Sequence, residues 1–104
     1  MAANRAIQHL QFDRTEAIRL ARLALSVDAN DTGALGIAGF VTAFLVGDHE
    51  TGIDLVERAV ASNPNDARAW RQGGWVFKFA GRFEEAIRSF ERGIRLDPLF
   101  PLLH

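Results

Sequence analysis

The same residue types return along this chain at a regular spacing, and that spacing limits what the chain can fold into. Gly47 and Gly81, Ile53 and Ile87, Glu57 and Glu91, Arg58 and Arg92, and Pro64 and Pro98 are each 34 residues apart. A second set is offset by 35: Ala24 and Ala59, Asp31 and Asp66, Leu35 and Trp70, Gly39 and Gly74, Phe40 and Trp75, and Phe44 and Phe79. The two offsets reconcile if the middle copy carries one extra residue just before Gly47, near Val46. A period of this length marks a stack of small units, none of which can bury its apolar face alone.

Local signals make each unit helical. Asp13-Arg14-Thr15-Glu16 reads as a capping box opening a helix that runs to about Val27, with Ala17, Leu20, Ala21 and Ala24 on one face. Asp31, Asp48 and Asp66 are N-caps for helices over about 32–46, 50–62 and 67–80, and the last helix covers 83–96. Gly47 and Gly81 turn the chain inside two units. Pro64 lacks an N–H and pushes Asn63 out of helix, and Asp97-Pro98 ends the last helix. A helix over 3–11 would carry Ile7 and Leu10 at helical spacing. Gly33, Gly36 and Gly39 lie inside one helix at about 1 kcal/mol each against Ala, which predicts close packing by a neighbouring helix. The organisation is a single domain: an N-terminal segment 1–12, the second helix of a truncated repeat over 13–30, a repeat with the insertion over 31–65, a complete repeat over 66–98, and a tail 99–104.

Composition excludes several function classes. Hydrophobic residues at 48% against 24% charged suit a folded chain. A net charge of −1 gives no general attraction for nucleic acid or an anionic membrane. No apolar run approaches the ~20 residues of a membrane span, and the start lacks a signal-peptide core, so cytoplasmic residence is expected. Without cysteine there are no disulfides, thiolate metal sites or cysteine nucleophiles. His9, His49 and His104 fall in separate segments with no metal-ligand spacing, and Ser26, Ser62 and Ser89 have no nucleophile context. Glu84 and Glu85 open a helix, where carboxylates favour the positive end of its dipole. No catalytic, cofactor or metal site is expected. Arg88, Arg92 and Arg95 form a stripe in which Glu84 with Arg88 and Glu91 with Arg95 are spaced to pair on a solvated face.

Residues 67–98 resemble the tetratricopeptide repeat, a helix–turn–helix unit. The family's preferred Trp, small, aromatic, glycine, aromatic, alanine, aromatic, small and proline positions are met by Trp70, Gly74, Phe77, Gly81, Phe83, Ala86, Phe90, Gly93 and Pro98. Gly73 departs, standing where leucine is usual, and predicts a shallow void or a bulky neighbour. The middle unit matches at Gly39, Gly47, Ala59 and Pro64, and is poorer at Leu35, Thr42, Gly52 and Val56. The resemblance implies an all-α fold: a right-handed superhelical stack of antiparallel helix pairs, an α-solenoid of about two and a half repeats. The wording also resembles repeat segments that follow bacterial adenylate cyclase or winged-helix regulator domains.

In such arrays the first helix of each pair lines a concave groove. Carried over residue by residue, the last unit offers Arg68, Arg71, Trp75, Lys78 and Phe79, and the middle unit offers Gly36, Phe40, Ala43 and Phe44. The result is an aromatic strip of Phe40, Phe44, Trp75 and Phe79 with a cationic edge of Arg68, Arg71 and Lys78. It suits a peptide or partner domain carrying apolar side chains and carboxylates. The other reading of the same residues is that the phenylalanines are core and the cations ordinary surface charges. A chaperone-type carboxylate clamp needs Lys and Asn at set positions, and one of these positions holds Phe40 in the middle unit and Trp75 in the last, so binding of chaperone C-termini is not expected. Trp70 is expected between helices, Trp75 in the groove.

The expectation is a protein–protein interaction module without catalysis of its own. The competing expectation is self-association or signal transmission within a larger regulatory protein. It rests on the uncapped apolar stripe Phe83, Ile87, Phe90 and Ile94 and the tail residues Leu99, Phe100, Leu102 and Leu103.

Overall fold

The computed structural model describes the backbone over residues 2–98 and side chains over 14–98. Among these residues the chain is all helical: α1 (Ala2–Val27), α2 (Thr32–Val41), a π-helical turn (Thr42–Val46), α3 (His49–Ser62), α4 (Ala67–Phe79) and α5 (Phe83–Leu96). Each helix packs on its neighbour in sequence, and α2 also packs on α4, so successive pairs stack. Expectations for the tail residues Leu99, Phe100, Leu102 and Leu103, and for the side chains of Ile7, His9, Leu10 and Asp13, fall outside the described residues.

The caps are where the sequence places them. Asp31 accepts from the Ala34 N–H, Asp48 from Thr51 and Asp66 from Arg68 and Ala69. The Asp48 carboxyl lies below its ordinary range because it accepts first from the Thr51 hydroxyl, at 2.7 Å, and also from the Thr51 N–H. Gly47 and Gly81 both hold left-handed φ, +82° and +78°, which a side chain rarely adopts. The loops between units repeat as well: Asp28 accepts from the Asn30 N–H, and Asn63, one repeat later, accepts from the Asn65 N–H.

The inserted residue is absorbed inside a helix rather than in a loop. The last turn of the α2 rod widens to a π-turn, and the Gly47 N–H bonds back to the Thr42 carbonyl. Because the surplus lies after Phe44, Phe44 keeps its place across from its repeat mate Phe79.

The core is made of small and medium side chains. Ala21, Leu35, Ala38, Leu55, Ala59 and Ala69 form one cluster, and Ala43, Ile53, Val56 and Val76 a second. Between them α2 and α3 cross closely at Gly39 and Gly52. A Cβ on Gly39 would meet Val56 Cγ1 at 2.7 Å and the Gly52 carbonyl at 3.0 Å.

The first helix departs from expectation in two ways. It runs unbroken through Asp13, because residues 2–16 contain neither proline nor glycine and the start signal at Asp13 only competes with continuing the helix. It also buries a rotated face: Ala21 and Leu25 pack on the core, while Leu20, Leu23 and Ala24 are exposed. Ile18, Ala21 and Leu25 at i, i+3 and i+7 form an equally good helical stripe with larger side chains, and that stripe wins.

Candidate functional site

Two opposite faces of α4 carry different chemistry, because residues spaced three, four and seven apart share one side of a helix. On one face lie Arg68, Arg71, Trp75, Lys78 and Phe79. On the other lie Trp70, Gly73 and Phe77.

The first face meets α2 and its π-turn in a continuous run of rings. Phe40 stacks on Phe44 with centroids 5.7 Å apart, Phe44 lies 5.3 Å from Phe79, and Phe40 meets Phe79 edge-on at 5.7 Å. Trp75 continues the run, 6.1 Å from Phe79. Lys78 holds its ammonium 4.8 Å from the Trp75 ring centroid, a cation–π contact that keeps one charge on the apolar strip. Phe44 is 58% exposed and Trp75 43%, whereas Phe40 and Phe79 are half-buried beneath them. The rings therefore serve as both packing and surface: the inner pair joins α2 to α4 and the outer pair faces solvent.

The cationic edge divides. Arg68 is exposed at the start of α4, two turns from Trp75 along the same face. Arg71 is half-buried with its stem over α5, where a Cβ on Gly93 would stand 3.0 Å from Arg71 Cγ. Two residues carried over from the family pattern do not line the face. Ala43 points into the second core cluster, and Gly36 is covered by the Gln72 side chain.

Phe90 belongs to the aromatic run and was not among the expected groove residues. Its ring packs edge-on to Trp75 at 5.6 Å and lies flat on Gly74, where a Cβ would meet ring atoms at 2.6 to 2.8 Å. The sequence signal was the small residue Gly74 one turn before Lys78, which makes room for an aromatic ring from α5.

The second face of α4 is open. Trp70 is half-buried, donating from Nε1 to the Pro64 carbonyl at 2.8 Å with the Arg92 guanidinium 5.8 Å from its ring centroid. The void expected at Gly73 is present as a cleft of about 270 Å³ bordered by Val56, Val60, Trp70, Phe77 and Ser89. The pairs Glu84–Arg88 and Glu91–Arg95 do not form; the ion pairs among the described residues are Glu16–Arg19, Asp54–Arg58 and Arg82–Glu85. An exposed i,i+4 pair gains only a few tenths of a kcal/mol, so the spacing alone does not decide whether it forms: Asp54–Arg58 shares that spacing and closes to 3.7 Å.

No described helix is long and apolar enough to cross a membrane. No protein-family model matches the chain. Among curated relatives, the Small glutamine-rich tetratricopeptide repeat-containing protein 2 of Mycosarcoma maydis is 24% identical over 74 residues, 70% of this chain and 21% of the relative. The Peroxisomal targeting signal receptor of Saccharomyces cerevisiae is 38% identical over 53 residues, 51% of this chain and 9% of the relative. Its namesake in Eremothecium gossypii is 31% identical over 83 residues, 80% of this chain and 14% of the relative. The chain thus spans about a fifth or less of the length of the curated relatives it matches. The narrower likeness to segments beside bacterial cyclase or winged-helix regulator domains is not shown by these relatives.

Proposed function

We propose that this tetratricopeptide-like helical stack, a protein–protein interaction module, holds a peptide or partner-domain surface on the face formed by Phe40, Phe44, Trp75 and Phe79. The observation that carries the reading is the run of rings, half of it anchored in the core and half exposed, with Lys78 over Trp75. Rigid aromatic side chains supply large contact area at low entropic cost, which is why they dominate binding hot spots. Lys78, Arg68 and Arg71 add positive charge on the same side of α4, so the fitting ligand carries apolar side chains and carboxylates. Two of the relatives are named receptors for a targeting signal, which fits recognition of a protein segment by this face. Cytoplasmic residence belongs to the same reading.

A display selection of random peptides against the wild-type chain tests this. The selected sequences should combine apolar and acidic residues, and in an ¹⁵N spectrum they should move the amides of Phe44, Lys78 and Phe79. Selection of basic or purely polar peptides, or shifts confined to other helices, would count against the face.

A second reading, self-association or transmission within a larger regulatory protein, is favoured by the outer side of α5. There Phe83 is 62% exposed, Ile87 57% and Ile94 46%, in a row with no helix against it among the described residues. Sedimentation should then show a concentration-dependent dimer that Ile87→Glu abolishes. A monomer at every concentration rejects this reading.

A further inference from the structure

We infer that the chain carries a second recognition site, on the side of α4 opposite the aromatic run, for an acidic peptide segment with an aliphatic side chain between its carboxylates. Trp70, Gly73 and Phe77 recur at i, i+3 and i+7, so they form one floor, and that floor faces away from Trp75 and Phe79. The walls are α3 on one side and α5 on the other.

The apolar part of the site exists because residue 73 has no side chain. Next to Gly73, Val56 and Val60 of α3 and the rings of Trp70 and Phe77 border the notch of about 270 Å³. That is below the ~300–1,000 Å³ of pockets that take small organic ligands, and it suits one or two side chains of a peptide. Ser89 closes the end of the notch, its hydroxyl committed to the Trp70 carbonyl at 2.7 Å.

The charged part is the adjoining cleft of about 350 Å³, which shares Trp70, Phe77 and Ser89 with the notch and is lined on its α5 side by Arg88, Arg92 and Arg95. None of these three arginines has a carboxylate within ion-pair distance among the described residues. Glu85, the acid on this cleft, is already engaged by Arg82 through two contacts of 2.6 and 2.8 Å. Arg92 lies over the Trp70 ring, so one cation is fixed where the apolar and charged parts meet. Three cations at i, i+4 and i+7 beside an apolar notch are complementary to carboxylates on either side of an aliphatic residue. A nucleic-acid backbone fits less well, because Glu57 borders the notch and Glu84 and Glu91 flank the arginine stripe.

The probe is a fluorescein-labelled peptide, Asp-Glu-Leu-Asp-Glu with blocked ends, titrated by anisotropy into the full chain at low salt and mapped by ¹⁵N spectra. Saturable binding is expected, with shifts at the Trp70 indole N–H and at the Gly73 and Ser89 amides. R88E/R95E should weaken it at least about 10-fold, since rim charges act through the same field. Replacing the peptide's leucine by serine should also weaken it, and the shifts at Trp70, Gly73 and Ser89 should persist in F44A/W75A, where the aromatic face has lost its exposed rings. No saturation at millimolar peptide would overturn the inference. So would an absence of shifts at Trp70, Gly73 and Ser89 in F44A/W75A, indifference of those shifts to R88E/R95E, or tighter binding of an oligothymidine of equal charge.

Discussion

Replacing Gly39 by alanine tests the closest helix crossing in the fold, with Gly36→Ala as its internal control. Both positions lie inside α2, so both substitutions gain the same intrinsic helix propensity, about 1 kcal/mol. At Gly39 the new methyl would stand 2.7 Å from Val56 Cγ1, 3.0 Å from the Gly52 carbonyl and 3.2 Å from Leu55 Cβ. Ordinary contacts between carbons need about 3.5–4.0 Å, so α2 and α3 must separate by a substantial fraction of an ångström. Val56 is fully buried and the Gly52 carbonyl is backbone, so neither can turn aside. Overpacking of this kind costs about 1–3 kcal/mol, and a backbone contact belongs at the upper end. The net expectation is a loss of about 2 kcal/mol, or a fall in Tm of roughly 8–16 °C for a chain of this size. At Gly36 the methyl meets the Gln72 amide, the far end of a flexible side chain that can swing away. Gly36→Ala should therefore melt at or slightly above wild type. Thermal unfolding followed by far-UV circular dichroism reads both. If Gly39→Ala melts as high as Gly36→Ala, α2 and α3 do not cross where described.

Other consequences are local. Asp66→Ala removes the carboxylate that accepts from the Arg68 and Ala69 N–H groups and should cost about 1 kcal/mol in urea unfolding, with Asn at the same position recovering most of it. Asp48 is depressed by its Thr51 contacts, so its stabilising contribution is fully present above the ordinary aspartate range near ~3.9 and is lost as pH falls through the lower folded value. Thr51→Ala should move the Asp48 carboxyl titration, followed by NMR, back upward; an unchanged midpoint would show that Thr51 is not the cause.

The parts of this fold that local chemistry decides were legible in the sequence. Asp31, Asp48 and Asp66 cap helices through side chains three residues or fewer from their targets, and Gly47 and Gly81 meet a backbone requirement that few other residues can satisfy. The insertion was legible as arithmetic, but its form was not. Whether a surplus residue widens a helix or lengthens a loop depends on what holds the helix end, and here Phe44 is held against Phe79. Which face of α1 turns inward was settled by packing between two stripes of similar apolarity. The double role of the aromatic strip was open for the same reason. A phenylalanine at groove spacing is equally a phenylalanine at packing spacing, and Phe40 and Phe79 turned out to anchor what Phe44 and Trp75 present. Phe90 joined the run through α5, from a different stripe of the sequence. The expected pairing of Glu84 with Arg88 failed because surface ion pairs are too weak to be read from spacing alone.

The central claim is that the Phe44–Trp75 face binds a protein segment, and the most direct measurement is an affinity ratio. A peptide selected against the wild-type chain is titrated by calorimetry into wild type and into F44A/W75A, with circular dichroism confirming that the helical signal is unchanged. Two truncated aromatic anchors at about 1–2 kcal/mol or more each predict a loss of at least about 30-fold in Kd. An affinity within about twofold of wild type, well under the tenfold that 1.4 kcal/mol represents, would contradict the account.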